Sequence, residues 1–139
     1  MVTKIYPGEY KSLAIISSFI VDQASRASFS PQDIYAIQTA VDEACSNIID
    51  HAYGAEDLGF IEVNVDILDS AIKITITDDG LPFNPDEVPK PDLHNPLENR
   101  KERGLGVYFM RELMDEVSFD FSNKRLNTLV MIKKRDTVS

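Results

Sequence analysis

At 139 residues the chain has the length of one ordinary domain, and a chain of that size buries about 68% of its unfolded surface, enough for a core of its own. Its formal net charge of −9 argues against direct contact with nucleic acid and suits a partner with basic patches, or solubility alone. One cysteine excludes an internal disulfide, two scattered histidines do not make a zinc site, and the absence of a signal peptide or an 18-residue apolar run leads us to expect a cytoplasmic protein with no membrane contact.

Val2, Ile5 and Tyr6 predict a short strand over residues 1–6, ended by Pro7 and Gly8. Residues 9–27 are helical in pattern, with Leu13, Ile16, Phe19 and Ile20 recurring at three and four. A second helix begins sharply: Ser30 is its N-cap, Pro31 its first residue and Asp33 an acid in its first turn. The spacing carries this helix to Tyr53, with Gly54 as a left-handed cap. At 100° per residue Ile34, Ile37, Val41, Ala44, Ile48 and Ala52 gather into one apolar stripe. Glu43 and Asn47, stacked at i and i+4, are expected on roughly the opposite side. Cys45 lies among apolar neighbours and reads as a core thiol.

Ile61, Val63, Val65 and Ile67 alternate with polar residues, as do Ile72, Ile74 and Ile76 after a turn at Asp69-Ser70. They predict two antiparallel strands, the second delivering Asp78-Asp79-Gly80 at its end. Five of the seven prolines (Pro82, Pro85, Pro89, Pro91 and Pro96) then fall in a stretch without apolar periodicity. A loop that long is commonly functional, and residues 82–103 are expected to be a lid. Glu102 to Gly106 opens a helix through Met114. Val117, Phe119 and Phe121 predict a strand, a turn follows near Asn123-Lys124, and Thr128 to Lys133 predict the last strand. The order implies one domain over residues 1–139, an α+β two-layer sandwich with helices on one face of a mixed, largely antiparallel sheet.

Three pieces carry chemistry. An acid and a carboxamide on one helix, Glu43 and Asn47, can serve a proton transfer and a hydrated Mg²⁺. Asp78 is a strand-end carboxylate able to accept from an exocyclic amine. Gly104 and Gly106 admit a ligand close to the backbone at a helix N-terminus, where phosphate is favoured, and Arg103 beside them can bind phosphate bidentately.

The run Glu43-x-x-x-Asn47-x-x-x-His51-x-Tyr53, then Asp78-x-Gly80, then Arg103-Gly104-Leu105-Gly106, resembles the conserved boxes of the GHKL (Bergerat-fold) ATPase and kinase superfamily. Asp78 to Pro85 and Gly104 to Val117 are similar in particular to the anti-sigma-factor serine/threonine kinases of bacterial partner-switching systems. The resemblance implies ATP and Mg²⁺ as cofactors. It makes Glu43 the catalytic base, Asn47 the metal holder, and Asp78 with Gly80 the adenine contact, with Thr128 supporting Asp78 through a water. Arg103, Gly104, Leu105 and Gly106 would surround the phosphates. It also implies a homodimer that phosphorylates a STAS-domain antagonist and sequesters a sigma factor or another regulatory partner. Apolar residues of the first helix beyond one stripe (Ile15, Ile16, Phe19 and Ile20) are consistent with pairing. A module that binds ATP and partner without phosphorylating is the rival reading, and a retained Glu43 speaks against it. Pro82 stands where many superfamily members carry a further glycine, and His51 reads as a packing or hydrogen-bonding residue.

Overall fold

The computed structural model describes residues 1–53, 59–81, 102–122 and 125–135, with the side chains of His51 and of residues 102–106 outside that description. In chain order the elements are β1 (Val2–Pro7), α1 (Tyr10–Arg26), α2 (Pro31–Asn47), a π-helical turn (Ile48–Tyr53), β2 (Phe60–Ile67), β3 (Ala71–Asp78), α3 (Glu102–Leu113), β4 (Glu116–Asp120) and β5 (Asn127–Lys134). The strands form one sheet in the order β1-β2-β3-β5-β4. Each of these four pairings is antiparallel, so the described sheet lies at the antiparallel limit of what was expected. The expected lid is outside the described residues up to residue 101, and its end is the start of α3. The expected cap at Gly54 and the turn at Asn123-Lys124 are outside them too.

Alternation along the strands builds the core. Val63 stands across from Ile76, Val65 from Ile74, Ile74 from Met131 and Ile76 from Leu129. All of these are buried, on the face that receives Ile16, Ile20, Ile37, Val41 and Met110 from the helices. Full burial of such a side chain is worth about 1.5–3 kcal/mol. Of the four α1 residues thought to exceed one stripe, Ile16, Phe19 and Ile20 enter the core, and only Ile15 is left exposed, at 57%. Period-2 alternation continues the Ile72-Ile74-Ile76 row into Asp78, which therefore points to the helix side of the sheet. Core packing thus sets the direction of a polar residue.

The start of α2 is as expected: the Asp33 N–H donates to Ser30 Oγ at 3.1 Å, and Pro31 leads the helix. Such a cap contributes about 1 kcal/mol. Its end is not. The single helix expected to Tyr53 stops as α-helix at Asn47, and the next six residues form the π-turn. Bonds from i to i+5 add a residue to the turn. The buried face therefore passes through Ile49 as well as Ile48 and Ala52. The Ala52 carbonyl takes its bond from outside the helix, from Leu81 N–H at 2.8 Å. Periodicity did not announce this, because both helix types read as apolar at three to five.

Candidate functional site

A pocket with about 460 Å³ of empty space, part of it open to solvent, lies between α2, the end of β3, α3 and the β4–β5 hairpin. Its walls are mostly apolar, with Ala44, Ile48, Met110, Phe119, Phe121 and Leu129 among them. Phe119 and Phe121 stack at 6.0 Å between ring centroids. The polar side chains on its wall are Asn47, Asp78, Asn127 and Thr128. Three of the residues singled out from sequence are thus brought to one cavity.

Asn47 needs a correction. It was expected across the helix from the apolar stripe, yet it lines the pocket together with Ala44 and Ile48. At 100° per residue Asn47 lies 60° from Ala44, on the flank of the stripe and not opposite it. Its Nδ2 is buried without a partner among the described residues. Glu43 is half-buried one turn earlier, with the Ser46 hydroxyl donating to its backbone carbonyl at 3.2 Å.

Asp78 is only 5% exposed. Its Oδ1 accepts from Gly80 N–H at 2.9 Å and from Asn127 Nδ2 at 3.0 Å. Burial raises its pKa above the ordinary carboxylate value, with the Asn127 and Gly80 bonds opposing and nearby Asp79 adding to the rise. Gly80 has a packing reason of its own: a Cβ there would lie 2.6 Å from the Ala52 carbonyl oxygen. The register sets Asn127 across from Asp78, and Thr128 across from Thr77. The partner that Asp78 has in hand is therefore Asn127, a residue the motif reading passed over. Its signal in the sequence is only that it lies one strand residue before Thr128.

Tyr53 was also passed over as a site residue. Its hydroxyl shares one proton between the Phe60 carbonyl oxygen at 2.6 Å and Asp79 Oδ1 at 2.7 Å, and accepts from the Phe60 and Asp79 N–H groups at 3.1 and 3.2 Å. Burial, followed by the bond to Asp79, pushes its pKa up to about 12. It pins the π-turn to both strands beside Asp78. Cys45 is fully buried and its thiol pKa is raised, chiefly by burial, which agrees with a core thiol. Arg103, Gly104, Leu105 and Gly106 lie in the first turns of α3, which packs on α2.

The residues present fit a nucleotide. A purine needs apolar walls and a few fixed polar groups, and these are here. Among the described residues no group of three His, Cys, Asp or Glu could hold a metal by itself. Magnesium bound through phosphates needs only one or two protein ligands, and the unpartnered carboxamide of Asn47 can serve as one, since its oxygen and nitrogen exchange places on a flip.

Such a pocket, between one long helix and the end of a central strand, defines a nucleotide-binding α+β domain. Residues 6–133 match the family described as the histidine kinase-like ATPase domain, and the chain belongs to that family. The motif resemblance to anti-sigma-factor kinases is borne out by its relatives. It is 33% identical over 115 residues to the serine-protein kinase RsbW of Bacillus mycoides (strain KBAB4), covering 80% of this chain and 71% of the relative. RsbW of Bacillus cereus (strain ATCC 10987 / NRS 248) is 32% identical over the same shares. The crystal structure of the RsbU and RsbW domains of a Mycobacterium tuberculosis protein matches all of this chain and 34% of that longer one, with a TM-score of 0.66. At 12% identity that likeness is one of fold. Among the described residues no helix is long and apolar enough to cross a membrane.

Proposed function

We propose that this chain is an ATP- and Mg²⁺-dependent protein serine/threonine kinase that phosphorylates a STAS-domain antagonist and sequesters a sigma factor or another regulatory protein. The observation that carries the reading is that the Asn47 carboxamide, unpartnered among the described residues, and the buried Asp78 carboxylate line one and the same pocket. The kinase relatives support it. Bound magnesium–ATP supplies the transferable phosphoryl group. Asn47 holds the metal, and Asp78 accepts from the amino group of adenine. Thr128 lends support at that end through a water. Arg103 and the backbone of Gly104, Leu105 and Gly106 hold the phosphates from the helix start. Glu43, one helical turn before Asn47, takes the proton of the acceptor hydroxyl. Phosphoryl transfer asks for this kind of positioning and little covalent work from the protein. The assembly in this proposal is a homodimer, in keeping with exposed Ile5 and Ile15. A monomer by sedimentation at high micromolar concentration would remove that part.

The test is Glu43→Gln, assayed by phosphate-affinity electrophoresis with ATP and a STAS-domain protein. Losing a general base costs about 10²- to 10⁴-fold in rate, whereas ATP affinity should hold, because the base acts on the acceptor. Equal single-turnover rates would remove Glu43 from the chemistry. No phosphorylation by either form, with ATP still bound, would leave the binding-module reading in place.

A further inference from the structure

Asn127 stands across from Asp78 in the β3–β5 ladder and lines the pocket beside it. Its Nδ2 donates to Asp78 Oδ1 at 3.0 Å and to the Gly80 carbonyl oxygen at 2.9 Å. A carboxylate and a carbonyl can only accept, so the carboxamide can sit only one way round, and both its N–H groups are engaged. Asp78 Oδ1 also holds the Gly80 N–H at 2.9 Å. Among the described residues two donors occupy Oδ1, and Oδ2 is the oxygen left for a ligand.

A carboxylate held in this way reads one chemical feature. It accepts from an amino group and repels a carbonyl oxygen. Without Asn127 nothing else described here would hold the carboxyl plane from the β5 side, and rotation about its last bond is broad. Burial favours a neutral carboxyl, which could donate to a carbonyl oxygen, and the Asn127 bond works against that. Resting on the nucleotide-site reading above, we propose that Asn127 is a positioning residue that makes the pocket select a 6-aminopurine over a 6-oxopurine, by fixing Asp78 as a one-sided acceptor.

The experiment compares ATP with inosine triphosphate, which differs at that position in carrying oxygen for the amino group. Affinities are measured by calorimetry with Mg²⁺ for the wild type, Asn127→Ala and Asn127→Leu. Leucine fills nearly the same space without the donors. The wild type should prefer ATP by about a hundredfold or more. Both variants should lose roughly ten- to a hundredfold of that preference, through weaker ATP binding with inosine triphosphate unchanged or tighter. Inosine triphosphate binding serves as the control for folding. A wild-type ratio kept in either variant, whether affinities hold or fall together, would overturn the inference alone. A wild type that binds neither nucleotide would overturn the site reading and the inference with it. A measurement on the wild type alone provides a further check: the Asn127 side-chain amide protons should be two separate, slowly exchanging NMR signals, and fast exchange would overturn the assignment.

Discussion

At the strand end of the pocket Asp78, Gly80 and Asn127 bond to one another, and Tyr53 ties the neighbouring Asp79 to β2. At the helix end Asn47 has a buried Nδ2 with no partner among the described residues. An unpaired buried polar group costs about 1–3 kcal/mol. One end is therefore organised by the protein's own bonds before any ligand arrives. The other holds an unmet bond that a ligand can satisfy. Recognition of a flat base requires fixed directions, whereas a metal with its waters tolerates a looser partner.

Asn47→Ala strikes at the second end and should have the larger effect of the two ends on ATP binding. Mg²⁺-dependent ATP affinity should fall by more than about tenfold, down to the metal-free level. Stability should hold or rise, since the unpartnered group is gone. Calorimetry with and without Mg²⁺ reads the first, and urea unfolding the second. A variant that keeps the wild-type response to Mg²⁺ would break the contrast.

Gly80→Ala strikes at the first end. The added methyl would lie 2.6–2.8 Å from three atoms of Ala52, two of them backbone. Overpacking of this kind costs about 1–3 kcal/mol, so the urea midpoint should drop and ATP binding weaken as Asp78 shifts. An unchanged midpoint would mean that the π-turn yields easily, and that this end is less rigid than its bonds suggest.

The smallest effect concerns pH. The raised pKa of Asp78 means that the folded chain binds this proton more tightly than the unfolded chain does. Its contribution to stability therefore improves as pH falls through the raised value, above the usual carboxylate value of about 3.9. ATP affinity moves the other way, because a protonated Asp78 gives up its charged acceptor. Opposite trends in unfolding midpoint and ATP affinity over that window are expected. Asp78→Asn should flatten the stability difference, and parallel trends would contradict the assignment.

Much of this was legible in the chain. Ser30 and Pro31 mark a helix start because capping and proline geometry are local. Ile61 to Ile67 and Ile72 to Ile76 mark strands because alternation is local too. Glu43, Asn47, Asp78 and Gly80 stood out through their spacing and resemblance. Asn127 and Tyr53 did not, since neither has a spacing of its own. Asn127 matters only through the register that puts it across from Asp78, and Tyr53 only because a π-turn brings its hydroxyl to Phe60 and Asp79.

Local sequence by itself determined where the helices begin, which strand faces are apolar, and that Asp78 ends a buried row. Tertiary structure alone decided that α3 and the β4–β5 hairpin enclose a pocket on the Asn47 flank of α2, which residue holds Asp78, and why residue 80 has no side chain. These depend on contacts between segments far apart in the chain, where hydrogen-bond partners and steric limits come from backbone approach and not from periodicity.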